Sequence, residues 1–236
     1  MKTNIIRLST FGLMLIFCSL LGLCQSGSSQ VTKLIADSVT GFSGQQGKSG
    51  WSYGYWDSTA DADKTYSQTT DFQLLKHFGS DPINGISGHT EFTTGKLWYL
   101  EDGFYYTSLW ARGGHPNSTM DLGKYAQVEH WAVRRWVSTS SGLVIISGHA
   151  GKVMPWGANW SGDVKARIVV DGATVFNSTI DDGGSKYTVS ASVQPGSLVD
   201  FLIGPGTGIG VIEFTATIKS VALNNNGRPN QLGIIK

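Results

Sequence analysis

The sequence predicts an all-β protein built from antiparallel strands closed into a sandwich or barrel. Three observations carry this. Short segments of alternating apolar and polar residues recur at regular spacing through the second half of the chain. The turns between them hold the strongest hairpin and breaker pairs, Asp171-Gly172 and Pro195-Gly196 among 31 glycines. Helical periodicity is confined to Phe72–Phe78.

Taken in order, the chain begins with Lys2 and Arg7, an apolar run from Phe11 to Cys24 and a small, polar stretch to Gln30. That is the layout of a secretory signal peptide, and the run is too short for the roughly 20 residues of a membrane-spanning helix. Residues 1–26 are therefore expected to be removed on export, to the cell exterior or a periplasm. Residues 27–46 read as a linker or first edge segment, 47–223 as the β-sandwich domain and 224–236 as a polar tail. Strand candidates follow at Trp51–Trp56, Thr70–Leu75, Leu97–Leu100, Tyr105–Ala111, Glu129–Val137 and Leu143–Ser147. From Asp163 the pattern sharpens: a strand to Val170, the Asp171-Gly172 turn, a strand to Ile180, then Lys186–Val193, Leu198–Ile203 and Val211–Ala222.

Both cysteines, Cys18 and Cys24, fall in the leader, so the exported chain has no disulfide and depends on its core. Losing Lys2 and Arg7 from the 18 basic residues leaves 16 against 17 acidic ones, a net charge of about −1. A duplex nucleic-acid binder needs a basic excess, so nucleic acid is not an expected partner.

Gly113-Gly114-His115-Pro116-Asn117, Ala132-Val133-Arg134-Arg135-Trp136 and Ser141–Gly148 succeed one another in a recurring order. Asp163 to Gly172, Val193–Phe201 and Phe214–Ile218 continue it. This order resembles that of secreted bacterial jelly-roll modules, which are similar to galactose-binding-like and carbohydrate-binding domains. The resemblance covers Trp98–Val221, with Gly47–Trp56 as the first strand of the same unit. It implies a jelly-roll sandwich and a polysaccharide or glycan ligand.

The residues themselves add an aromatic argument. On one strand Trp51, Tyr53 and Tyr55 share a side, because side chains alternate at period two. They form either a platform for the apolar face of a sugar ring or part of the core, where aromatics bury the most area. Trp156, Asn159 and Trp160 lie in a segment of loop composition, and loops carry binding residues. The pair of tryptophans is the stronger candidate for stacking, with Asn159 for polar fixation; the alternative is that they plug the end of the sandwich.

Arg134 and Arg135 fall on opposite faces of one strand. One is expected in a structural ion pair and the other, Arg135 in the binding reading, toward solvent or an acidic glycan, whose carboxylate or sulfate suits the guanidinium fork. As an enzyme, the chain would be a polysaccharide lyase using His130 or His115 as base and Arg134 to neutralise a uronate. No GxSxG, HExxH, P-loop or CxxC motif occurs. Asp57, Asp61 and Asp63 form the weak candidate for a calcium loop, a solvated turn being the alternative. The leading expectation is a secreted, non-catalytic carbohydrate binder with no cofactor, calcium at the Asp57, Asp61 and Asp63 turn being the alternative. A polysaccharide lyase is the second reading, and a cell-surface structural or adhesion protein, with the apolar end Leu232–Lys236 as an assembly contact, is the third.

Overall fold

A computed structural model describes residues 31–80, 93, 95–100, 106–119, 127–153, 163–181, 183–207 and 210–222. In chain order the strands are β1 (Thr32–Asp37), β2 (Trp51–Asp57), β3 (Gln73–Leu74), β4 (His77–Gly79), β5 (Leu97–Tyr99), β6 (Ser108–Trp110) and β7 (Gly113–His115). They continue as β8 (His130–Val137), β9 (Gly142–Val153), β10 (Val164–Val170), β11 (Ala173–Ile180), β12 (Ser185–Val193), β13 (Leu198–Pro205) and β14 (Val211–Val221). The segment Phe72–Phe78 holds no helix: β3 and β4 occupy it, because its apolar residues serve two strands in different sheets.

Two antiparallel sheets face one another. The first has the order β12-β9-β14-β7-β6-β5-β4, with β1 also paired to β14, and the second has the order β11-β10-β13-β8-β2-β3. Within them, β1-β14-β9-β12 and β8-β13-β10-β11 are the two four-stranded sheets of a jelly roll, formed as the chain crosses repeatedly between layers. The strands β2 to β7 are inserted between β1 and β8 and lengthen both sheets. Asp171 and Gly172 carry positive φ of 45° and 84° at the β10–β11 hairpin, as the Asp-Gly pair predicts.

Period-two alternation decides what lies between the sheets. Trp51 and Tyr53 of β2, Trp136 of β8, Ile168 of β10, Phe201 of β13 and Phe214 and Ile218 of β14 all point inward. Phe201 meets Phe214 edge to face across the layers, with centroids 5.8 Å apart.

The second sheet also has a covered outer face. Trp56, Trp131, Val133, Val169 and Leu202 point outward there, and Tyr66 and Phe72 of the β2–β3 connection pack onto them. That connection is fastened by Gln68, whose amide nitrogen donates to the carbonyls of Val169 and Leu198 while its oxygen accepts from Gly172 N. Among the described residues, aromatics thus build apolar layers on both sides of the second sheet.

Candidate functional site

Six of the eight tryptophans lie among the described residues, at positions 51, 56, 98, 110, 131 and 136, and none exceeds 5% exposure. The aromatic platform expected on β2 is therefore overturned for Trp51 and Tyr53, at 1% and 0% exposure. Tyr53 stacks on Trp98 at 5.8 Å, and its hydroxyl takes up the backbone of Ser43 and Gly41. Tyr55 is half-buried, with its hydroxyl on Gln73 and its ring 5.1 Å from that of His130. The physical reason is that β2 is flanked by β3 and β8 in a sandwich, so an inward aromatic has only the core to enter.

Both arginines of β8 are structural. Arg134 is 2% exposed and donates to the backbone carbonyls of Trp110 and Phe214 inside the sandwich. It thus cannot reach the carboxylate of a polymer, as the lyase reading requires. Arg135, on the outer face, is the member of the expected ion pair: Nε and Nη2 bind Asp200 in bidentate fashion at 2.8 and 2.7 Å. Its guanidinium also lies 3.9 Å from the Phe72 centroid and donates to Gln68 O. This removes Arg135 from the ligand-binding set.

The two candidate bases are also enclosed. His115 and His130 are each 3% exposed. His115 stacks on Tyr106 and its Nδ1 contacts Pro116 O; burial pushes its pKa down to about 4. His130 sits at the end of β8 with Nδ1 3.0 Å from Thr107 Oγ1 and Nε2 3.6 Å from Asp57 Oδ2. Burial lowers its pKa against the opposing pull of the Asp57 carboxylate. The structure brings no arginine beside either base in an open cleft among the described residues, so the lyase trio His130, His115 and Arg134 is not assembled as that chemistry needs.

Asp57, Asp61 and Asp63 use their carboxylates as turn caps. Asp57 Oδ1 accepts from Thr59 N and Ala60 N, Asp61 accepts from Trp56 Nε1 and Asp63 N, and Asp63 Oδ1 accepts from Thr65 N. Among the described residues no three His, Cys, Asp or Glu side chains are grouped to hold a metal.

A polar groove of about 310 Å³ opens on the outer face of the first sheet, lined by Asp37, Val39, Arg112, Ser147, Gly148, Thr215, Ala216 and Thr217. Its origin is topological. Along one edge of β14, β1 pairs only with residues from Thr217 onward and β7 only with Ile212 and Glu213. The turn after β1 and the loop carrying Arg112 border the interval between them, tied to β14 by Ser38 N–Ala216 O and Phe214 N–Arg112 O bonds.

Strand register then aligns the side chains. Asp37, Thr217, Ser147 and Thr188 are successive cross-strand partners on β1, β14, β9 and β12, giving an outward polar row across four strands. Neighbouring strands are about 4.8 Å apart, so the row presents a hydroxyl or carboxylate at each step. Thr215 and His149 stand in the adjacent row, and Arg112 pairs with Glu213 at the end. Beside Ser147, Gly148 faces inward and leaves room for the core hydroxyl of Tyr187: a Cβ there would lie 1.8 Å from Thr215 O and 2.6 Å from that hydroxyl. Asp37 Oδ1 caps Val39 N and Thr40 N, which fixes the carboxylate at the rim. Sequence reasoning missed this site because single Ser, Thr and Asp residues from distant strands form no motif.

Trp156, Asn159 and Trp160 lie outside the described residues, as do the expected signal peptide and the polar tail. No helix among the described residues is long and apolar enough to cross a membrane.

No protein-family model matches the chain. No curated protein matches it either. Among solved structures it is similar to that of CBM51-2 in complex with GlcNAc and INT domains from Clostridium perfringens ZmpB, at 13% identity and a TM-score of 0.31 over 43% of this chain and 25% of that one. It is also similar to the native structure of a family 35 carbohydrate binding module from Clostridium thermocellum, at 11% identity and a TM-score of 0.28 over 52% of this chain and 85% of that one. The matched part thus spans a quarter of the first structure's length.

Proposed function

We propose that this is a secreted, non-catalytic module that binds a polysaccharide through the groove on the outer face of the first sheet. The observation that carries this reading is the outward row Asp37, Thr217, Ser147 and Thr188, closed at one side by Arg112. A sugar ring offers hydroxyls around its edge that both donate and accept. A fixed carboxylate accepts from two of them, threonine and serine hydroxyls do either, and a guanidinium donates. The groove lies at the small end of ligand sites, about 300 Å³, which fits a short stretch of glycan and not a large cofactor. It opens on a rigid sheet, so little ordering entropy is lost on binding.

Within this reading Trp156 and Trp160 are the tryptophans left to stack on sugar, with Asn159 beside them, since those at the other six positions are spent on packing. Their connection joins β9 to β10. The enclosure of His115, His130 and Arg134 favours binding over lyase chemistry.

The test is retention on immobilised polysaccharides combined with incubation of the same polymers. Retention with no release of unsaturated or reducing ends is the expected result. Product accumulation that scales with protein would overturn the non-catalytic reading, and absence of retention on every polymer would overturn the binding reading. Replacing Trp156 and Trp160 with Ala is expected to weaken retention while the melting temperature stays within a few degrees.

A further inference from the structure

The three arginines placed so far in the sandwich have their guanidinium groups engaged. Arg134 serves backbone carbonyls, Arg135 serves Asp200, and Arg112 serves Glu213. Arg167 on β10 differs. Its Cζ sits 4.7 Å from the centroid of the Trp131 ring, and among the described residues it makes no hydrogen bond or ion pair. Lys165, two residues before it and on the same outward side of the second sheet, has its Nζ 6.0 Å from the same ring; among the described residues it makes no hydrogen bond or ion pair, although its charge acts on the Asp163 carboxylate.

Trp131 is a fixed base for both cations. Its ring lies flat over Gly204, where a Cβ would come within 2.4 Å of the indole. Its Nε1 donates to Glu129 at 3.1 Å, and Trp56 packs against it at 5.6 Å. Stacking therefore sets the position of the Arg167 guanidinium and leaves its five N–H donors without a protein acceptor among the described residues. Partial burial without a counter-charge disfavours the charged form, and the Arg167 pKa is accordingly lowered. Across the strand pair, Lys165 faces Thr179 and Arg167 faces Asn177 of β11, both exposed. The result is a shelf with two cations, an amide and a hydroxyl on the sheet opposite the groove, bordered at the Lys165 end by the Asp163 carboxylate, which Thr207 N and Oγ1 engage.

The geometry points to an anion subsite on this shelf, in which Arg167 and Lys165 receive the carboxylate or sulfate group of an acidic polysaccharide. The planar fork of Arg167 matches either group with two parallel hydrogen bonds, Lys165 adds a point charge, and Asn177 and Thr179 are placed for sugar hydroxyls. The inference rests on the carbohydrate-binding reading and extends it to a ligand class and to a second face. It also explains how a chain with a formal net charge of +1, about −1 once residues 1–26 are removed, could hold a polyanion: the attraction is local.

The test uses the full chain on three immobilised polymers: polygalacturonate, a sulfated galactan and a neutral β-glucan. Arg167→Gln and, separately, Lys165→Gln are compared with the parent, with thermal unfolding measured for each. The expected result is about tenfold or greater weakening on at least one of the two anionic polymers, unchanged retention on any neutral polymer bound, and a steep decline of anionic binding with salt. Carboxylate and sulfate sources are told apart by which gel loses retention. Unchanged anionic binding in both variants overturns the proposal. A parent that binds the neutral glucan and neither anionic polymer overturns it while leaving the groove reading standing. A parent that binds none of the three overturns both. Should Arg167→Gln fail to fold, the exposed Lys165→Gln decides by the same criterion.

Discussion

Arg135 and Asp200 form a bidentate ion pair across β8 and β13, at 2.8 and 2.7 Å, with the Asp200 carboxylate fully buried beneath Tyr66. The Tyr66 hydroxyl donates to the same carboxylate at 2.6 Å, and burial with this charge beside it keeps the phenol protonated, its pKa raised. The pair fastens the β2–β3 connection to the second sheet and accounts for one of the two arginines that the strand alternation places on opposite faces.

Removing one partner of such a pair leaves an uncompensated charge. Asp200→Asn is expected to cost about 3–5 kcal/mol, a fall in melting temperature on the order of 10 °C for a chain of this size. A double-mutant cycle with Arg135→Met checks it: strongly non-additive losses are expected, and additive ones would show that the two groups act separately.

Trp51 was a candidate for sugar contact and is instead 1% exposed, 5.9 Å from Phe201 in the centre of the sandwich. Trp51→Ala is expected to lose about 3–5 kcal/mol of stability by opening a cavity. Chemical denaturation checks this, and a variant as stable as the parent would return Trp51 to the surface.

Acid is expected to loosen the fold. His115 has a folded-state pKa of about 4, below the usual value of about 6.5 for an unfolded histidine, so the unfolded chain binds a proton that the folded chain refuses. This stability is fully present above pH 6.5 and is lost as pH falls from about 6.5 to 4. It amounts to about 3 kcal/mol for His115, and the lowered pKa of His130 acts in the same direction. Unfolding midpoints measured from pH 7 to 4 should fall, and His115→Asn should flatten the slope. A parent whose midpoint is level across that range would contradict the enclosure of His115.

The strands after Asp163 were legible because β12 and β14 alternate, β10 and β13 are short apolar runs, and the turns between them carry residue signatures such as Asp171-Gly172 and Pro195-Gly196. The region before β8 was less so. The alternation of β1 is broken by a register shift between Leu34 and Ala36, and β3 to β7 have only two or three residues each, too few for a period to show. At the level of the site, alternation separated Arg134 from Arg135 correctly, while burial decided that neither is free. Composition marks tryptophans as unusual and cannot say whether a sheet will cover them. Arg167 carries no signal in sequence at all; its isolation appears only once Trp131 and Gly204 are seen to hold it. Likewise, the groove depends on Asp37 and Thr217 meeting across 180 positions of chain.

Glycan is expected to bind at the groove of the first sheet. Amide chemical-shift mapping during titration with an oligosaccharide of a retained polymer tests it most directly. The shifted residues are expected to cluster at 37–39, 112, 147–148 and 215–217, and Asp37→Ala with Thr217→Val is expected to abolish these shifts while the melting temperature stays within a few degrees. Shifts confined to other parts of the sandwich, or saturable binding that persists unchanged in that double variant, would contradict it.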